Sequence, residues 1–216
     1  MEYNTGNYEK YTTKNKLKRK MISRFNGKIS VIVKKAARRI TASRRAGGAS
    51  GRLRVLDAGC GEGFMARFIL EQLGGKAEIT GLEYTSEAIE TARKMSSDIR
   101  YVQGDITSMP FETDSFDIVI CTEVLEHLNE PAAALSELLR VSRDTLIISV
   151  PHEPWFCIGN LLALKNIRRL GNPIDHINHW GYTGFRRFLN AHSSQRWNMD
   201  RSFPWTIAEC KVNEKR

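Results

Sequence analysis

The segment 54–64, RVLDAGCGEGF, joins an apolar strand that ends in Asp57 to a helical pattern through glycines at every second position. Glycine is needed where the backbone turns tightly and approaches a ligand, because a Cβ would block the approach. The free N–H groups at the start of the next helix face the same point. We therefore expect a binding turn at Gly59, Gly61 and Gly63, with Asp57 accepting hydrogen bonds from a ligand ammonium group.

A dinucleotide-binding turn would have the spacing G-x-G-x-x-G/A, in which the last small residue lets the helix pack closely against the strand. Position 64 of this chain is Phe. The dinucleotide interpretation, and with it a dehydrogenase, is therefore disfavoured.

The formal net charge of +9 is unevenly distributed. Residues 1–54 carry 16 of the 33 Lys and Arg residues and two of the 24 acids, so they contribute +14 and the remainder −5. The four cysteines are scattered without a C-x-x-C pair, which argues against a zinc ribbon and fits a reducing cytoplasm. No apolar run approaches the length of a membrane span, and the first residues lack the apolar core of an export signal.

The charge distribution divides the chain into a basic helical arm or lid at 1–50 and a domain at 51–216. Apolar residues recur every fourth position in the arm, which predicts an amphipathic helix: Leu17, Met21, Phe25, Ile29 and Val33. The Gly-rich stretch 46–51 predicts a flexible joint.

Strand and helix patterns alternate through the domain. Strands are predicted at 53–58, 77–83, 99–104, 116–121, 145–150, 195–202 and 205–212, and helices at 62–73, 86–96, 131–141 and 183–191, with an irregular insertion at 152–181. Such alternation predicts an α/β fold with a Rossmann-like, doubly wound, seven-stranded and mostly parallel sheet. Ligands bind such sheets at the carboxyl ends of the strands.

The glycine loop after Asp57 and the acids at the ends of the next strands resemble the motifs of the class I S-adenosylmethionine (SAM)-dependent methyltransferases. The resemblance implies that the Asp-x-Gly-x-Gly-x-Gly loop holds the methionine part of SAM, that Glu83 accepts from both ribose hydroxyls, and that 104–106 meets adenine. The full cofactor set that it implies is Asp57, Gly59, Cys60, Gly61, Gly63, Glu83, Tyr84, Gly104, Asp105, Ile106, Thr122 and Glu123.

The stretch 122–128, TEVLEHL, contains two acids and a histidine. If the turn is helical, Glu123, Glu126 and His127 share a face and could hold a divalent cation. The pattern is similar to that of ubiquinone-pathway O-methyltransferases and small-RNA 2′-O-methyltransferases, which implies a Mg²⁺ site completed by a further histidine. The candidates for that ligand are His152, His176 and His179, with His179 as the first choice. Metal-free relatives with a similar turn leave the alternative that the histidine only fixes the loop.

The insertion after the fifth strand is rich in His, Trp and Phe and is expected to form the acceptor site. His127, His176 and His179 are the candidate catalytic bases. We expect methyl transfer to an oxygen, rather than a nitrogen, of a small acceptor that is lipid-linked or glycosylated. The alternatives are a metal-dependent RNA 2′-O-methyltransferase and a catalytically silent SAM-binding partner protein.

The basic arm has three interpretations: a lid on the SAM pocket, a surface for anionic lipid headgroups or a phosphorylated acceptor, and an RNA contact. Nucleic acid is the least favoured, because aromatic-rich RNA signatures are missing. A second apolar stripe, at 158–170, could lie on a membrane surface or pack on the domain. The expected location is therefore cytoplasmic and peripheral to the membrane; the oligomeric state and the acceptor stay open.

Overall fold

The computed structural model describes residues 10–162 and 176–215. The strands are β1 (Leu53–Ala58), β2 (Ala77–Glu83), β3 (Arg100–Gln103), β4 (Phe116–Thr122), β5 (Ser142–Pro151), β6 (Gln195–Ser202) and β7 (Trp205–Lys215). The helices are α1 (Lys16–Ala46), α2 (Phe64–Leu73), α3 (Ser86–Met95), α4 (Pro131–Val141), α5 (Trp155–Leu162) and α6 (Tyr182–His192). A helical turn at 10–12 precedes α1, and a 3₁₀ turn covers Leu125–His127.

The strands form one sheet in the order β3-β2-β1-β4-β5-β7-β6. The first five run parallel to their neighbours, whereas β7 runs antiparallel to both β5 and β6. The α/β fold with a seven-stranded, mostly parallel sheet is therefore confirmed.

The strand order reverses at β1. Asp57 pairs with Gly81 of β2 on one side and with Ile120 of β4 on the other. A parallel sheet opens a crevice where its order reverses, beyond the carboxyl ends of the strands. The topology thus places the loop at 59–63 over that crevice.

Apolar side chains alternate between the two faces of the sheet and form two cores. Val55 packs in the cluster that contains α1, α2 and α3, and Leu56 packs in the cluster that contains α4 and α6. All four residues at the centre of β4, 118–121, are fully buried. Helices therefore cover both faces, as expected for a parallel sheet.

The basic arm packs on the sheet through α1. The side chain of Asn15 caps this helix by accepting from the N–H groups of Leu17 and Lys18. Phe25 is fully buried and its ring lies 4.9 Å from that of Trp205. Fully burying such side chains contributes about 1.5–3 kcal/mol each, so Phe25, Ile29 and Val33 of the stripe expected from the sequence anchor the helix. The expectation is wrong for Leu17, which is 67% exposed.

The segment 152–181, expected to be irregular, contains the helix α5 at Trp155–Leu162. The expected apolar stripe at 158–170 continues into residues that lie outside the described part of the chain. Among the residues that are described, no helix has both the length and the apolar character needed to cross a bilayer.

Candidate functional site

Asp57 lies at the carboxyl end of β1, with only 2% of its surface exposed. The backbone N–H of Ala66 donates a hydrogen bond to it, but its Oδ2 atom has no partner among the described residues. Burial, together with the negative charge of Glu83, raises the pKa of Asp57 to about 7. A buried carboxylate oxygen without a partner is costly, and a ligand cation would remove that cost.

The loop after β1 is shaped by its glycines. Gly59, Gly61 and Gly63 have φ angles of 76°, 52° and 78°, a region that favours residues without a Cβ. A Cβ at Gly59 would clash with Val124, and one at Gly63 would clash with the hydroxyl of Tyr101. The loop therefore combines close approach of the backbone with conformations that other residues adopt only with strain.

The second strand contributes an oriented carboxylate. Oε2 of Glu83 accepts from the N–H of Gly61 at 2.9 Å. Its Oε1 accepts from the N–H and the hydroxyl of Thr85 at 3.0 and 3.1 Å. These bonds fix the carboxylate beside the glycine loop, where its remaining acceptor capacity can meet a vicinal diol.

The other expected cofactor residues differ in exposure. Asp105 is exposed, and its pKa is lowered because Oδ1 accepts from the hydroxyl and the N–H of Thr107. Ile106 is buried, whereas Tyr84 is 70% exposed. Cys60 is buried in the crevice, and burial raises the pKa of its thiol.

Glu123 directly follows β4 and lies in the left-handed region, with a φ of 60°. Its carboxylate accepts from the indole Nε1–H of Trp205 and lies 3.7 Å from Nζ of Lys10. Burial raises the pKa of Glu123, against the charges of Lys10 and His127, which lower it. The backbone geometry thus turns this side chain toward the crevice.

The helical turn at 10–12 closes the crevice. The Tyr11 ring stacks on Phe64 with the centroids 4.8 Å apart, and Lys10 Nζ lies 4.7 Å from the Trp205 ring centre. Burial and the negative charge of Asp57 raise the pKa of Tyr11. The free volume left is about 10 Å³, in a crevice lined by Lys10, Tyr11, Asp57, Gly59, Cys60, Phe64, Met65, Thr122 and Glu123.

A histidine cluster lies beside the 3₁₀ turn. Ile177 and Asn178 donate backbone hydrogen bonds to the carbonyl of Glu126 at 2.8 and 2.9 Å. This clamp places the ring of His176 5.0 Å from that of His127, measured between centroids. His179, at the far end of the same segment, has its Nδ1 3.9 Å from Glu153.

Two groups of possible metal ligands share His176. The donor atoms of Glu126, His127 and His176 lie within 4.8 Å of one another, as do those of Glu153, His176 and His179. Glu123 belongs to neither group, because its φ of 60° takes it out of the turn and toward Trp205 and Lys10. The ligand set expected from helical spacing, Glu123 with Glu126, His127 and His179, is therefore not brought together.

Sequence reasoning missed four residues of the site: Lys10, Tyr11, Glu153 and Trp205. Trp205 and Glu123 are 82 positions apart in the chain. No local spacing signals such a contact, since it depends on β7 pairing beside β5. Phe64 was noticed only as a mismatch to the dinucleotide pattern, although its ring is the platform for Tyr11.

The comparisons with known proteins point to methyltransferases. A family model described as a methyltransferase domain matches residues 56–147. A malonyl-(acyl-carrier protein) O-methyltransferase of Serratia marcescens is 34% identical over 137 residues, which are 63% of this chain and 47% of that protein. A ubiquinone biosynthesis O-methyltransferase of Alkalilimnicola ehrlichii is 34% identical over 100 residues, 44% of this chain and 39% of that protein. The chain spans less than half the length of these two curated relatives.

The fold has solved counterparts. One is the magnesium protoporphyrin IX methyltransferase of Synechocystis PCC 6803 with bound SAH, with a TM-score of 0.62 and 19% identity. The match covers 96% of this chain and 95% of that chain. Because the sequence identity is only 19%, this similarity shows that the two proteins share a fold and nothing more.

Proposed function

We propose that this chain is a class I SAM-dependent methyltransferase and that it transfers a methyl group from SAM to an oxygen atom of a small acceptor. The observation that carries the proposal is the unpartnered Oδ2 of Asp57, buried beneath a glycine loop. SAM bound there supplies a methyl group on a cationic sulfur, which is a good leaving group. The protein's task is then alignment and exclusion of water.

The residues of the crevice suit that donor. Asp57 would accept from a cationic group, and the positive-φ glycines allow the methionine part to lie against the backbone. Glu83 is already oriented by Gly61 and Thr85 to accept from the ribose hydroxyls. Tyr11 occupies the same space, so the turn at 10–12 has to move aside when the donor enters.

The acceptor side of the proposal rests on the histidine cluster. A hydroxyl acceptor must lose its proton during transfer, and an imidazole within hydrogen-bond reach can take it. His127 is the preferred base among the three candidates, because it lies in the 3₁₀ turn that follows Glu123, which lines the crevice. His176 packs against His127 and would set the orientation of its ring.

A metal at this cluster remains part of the proposal, with a changed donor set. His127, His176 and Glu126 could hold one ion, with Glu153 and His179 close by. Imidazole-rich sets suit Zn²⁺ and similar ions better than Mg²⁺, which prefers oxygen ligands. An ion bound there would lower the pKa of an acceptor hydroxyl. The donor chemistry therefore disfavours the Mg²⁺ expected from the resemblance.

The test uses SAM with a labelled methyl group and a panel of phenol, carboxylic acid and amine acceptors. We expect label on phenols or carboxylic acids; release by mild alkali identifies a methyl ester, whereas an aryl ether retains the label. The matched pair His127→Gln and His192→Gln separates the base from an exposed histidine at the end of α6. Label appearing only on amines would contradict methyl transfer to oxygen, and equal rates in the two variants would contradict the role of His127 as the base.

A further inference from the structure

The outer face of α1 is cationic along the first two thirds of the helix. Six residues lie on one stripe, at spacings of three, four and seven: Leu17, Lys20, Arg24, Val31, Lys35 and Arg38, all of them exposed. The helix contains 12 Lys and Arg residues and no acid. At 1.5 Å per residue, the stripe is about 30 Å long.

The acids of the domain neutralise the inner cations of α1 and leave the outer ones. Lys28 pairs with Asp200 at 2.6 Å, Arg39 with Asp144 at 2.6 Å, and Arg44 with the buried Asp117. The four cations of the stripe have no ion pair with any described residue. The charges of Lys20, Lys35 and Arg38 therefore remain for an external anionic surface, whereas Arg24 also acts on Asp200 and helps to lower its pKa.

The stripe is held rigidly. Phe25, Ile29 and Val33, on the opposite side of the helix, are fully buried in the core. The backbone that carries Lys20, Arg24, Lys35 and Arg38 is consequently already helical before binding, and only the side chains have to be ordered. A preformed row avoids much of the entropy that a disordered basic tail would lose.

We propose that this face of α1 docks on an anionic membrane surface, with the helix parallel to the bilayer. Leu17 and Val31 favour lipid over nucleic acid, because each is 67% exposed within the cationic row. A bilayer interface can bury such side chains, whereas a phosphodiester backbone offers them little apolar contact. The cations would meet the lipid headgroups.

Docking in this orientation brings the crevice to the membrane. The amino end of α1 lies on the crevice side of the sheet, since the turn just before it contacts Glu123 and Phe64. A lipid-linked acceptor could then reach the site from the bilayer. This consequence for the acceptor rests on the proposed function, but the docking itself does not.

The experiment is co-sedimentation of the full chain with vesicles of phosphatidylcholine, with and without phosphatidylserine. We expect binding only to the anionic vesicles, weakened by salt. The variant Lys20→Gln, Arg24→Gln, Lys35→Gln and Arg38→Gln should lose at least about tenfold in partition coefficient. Arginine in place of Lys20 and Lys35 should preserve binding.

The control removes the same charge elsewhere, at four exposed residues outside α1: Lys94→Gln, Arg100→Gln, Arg186→Gln and Arg187→Gln. It should bind vesicles nearly as the parent does. Equal losses in the two variants would reduce the effect to net charge and overturn the proposal.

A second pair of substitutions, Leu17→Ser and Val31→Ser, separates lipid from nucleic acid. It should weaken vesicle binding at raised salt, where the apolar contribution is a larger share of the affinity. RNA binding that depends on the stripe, without vesicle binding, would overturn the membrane assignment. Because sedimentation needs neither SAM nor turnover, its outcome is independent of the proposed methyl transfer.

Discussion

Replacing Asp57 with asparagine should make the ligand-free protein more stable at neutral pH while weakening its binding of SAM. The side chain is 2% exposed, and its pKa is raised to about 7 from an ordinary value of 3.8. That gap corresponds to about 4 kcal/mol of free energy between the two protonation states. Asparagine keeps the shape and an acceptor for the N–H of Ala66, but it cannot ionise.

The sign follows from proton binding. Between pH 4 and 7 the unfolded chain releases the Asp57 proton while the folded protein retains it, so stability falls as the pH rises through this window. The Asp57→Asn variant lacks this slope. Above pH 7 it should exceed the parent in unfolding free energy by up to about 4 kcal/mol. Asp105, Glu137 and Asp200, whose pKa values are lowered, contribute opposite slopes that are common to both proteins.

Binding of SAM should show the opposite pH dependence. The cationic ligand requires the ionised form of Asp57, and below a pKa of about 7 that form becomes scarce. The parent's dissociation constant should therefore rise roughly fiftyfold between pH 7 and pH 5. The variant should bind more weakly at pH 7, with much less change over this range.

The assays are urea denaturation of the ligand-free proteins and isothermal titration calorimetry with SAM, each across pH 5 to 8. Glu83→Gln serves as a second variant that leaves Asp57 in place but removes a negative charge that helps to raise its pKa, so the pH dependence of stability should move to lower pH. Parent and Asp57→Asn stabilities that stay parallel across this range would refute the reasoning about the buried carboxyl. Parallel binding curves would refute its role in holding the ligand cation.

Three further outcomes test the site and its support. Tyr11→Ala should lower the dissociation constant of SAM in calorimetry, because the ring stacked on Phe64 fills the crevice; weaker binding would instead make the ring a ligand contact. Phe25→Ala should cost about 3–5 kcal/mol in urea denaturation, against a near-neutral Val31→Ala on the exposed face; equal costs would contradict the anchoring of α1. His176→Ala should abolish any bound Zn²⁺ seen by mass spectrometry while SAM binding persists. An unchanged metal content would rule out the histidine cluster as the metal site.

The fold was predictable because its signals are local. The strand that ends in Asp57, the glycines after it and Glu83 at the next strand end each follow from a few neighbouring residues. The apolar stripe of α1 is also a local signal: its spacing predicts that one face of the helix is buried, but not which residues pack against that face. Parallel strands then bring separate strand ends to one edge of the sheet.

The geometry around Glu123 could not be predicted from spacing alone. Positions i, i+3 and i+4 share a face only if the backbone between them is helical. The helical turn begins at Leu125, two residues after Glu123, whose φ of 60° breaks the periodicity. The positive φ of Glu123 cannot be predicted from the sequence, because a glutamate seldom adopts this conformation. The contact with Trp205 compensates for the strain in a way that only the tertiary fold shows.

The placement of Lys10 explains how the crevice tolerates its acids without a ligand. Burial raises the pKa of Asp57 to about 7, which limits its ionisation, whereas Glu123 lies 3.7 Å from the ammonium group of Lys10. Both solutions limit the cost of buried negative charge. A cationic ligand would supply the same compensation, so the turn at 10–12 and the ligand compete for one electrostatic role. Removing the Tyr11 ring should therefore strengthen the binding of SAM. Stronger binding would show that the turn at 10–12 competes with the ligand, whereas weaker binding would show that the turn is a lid that holds the cofactor.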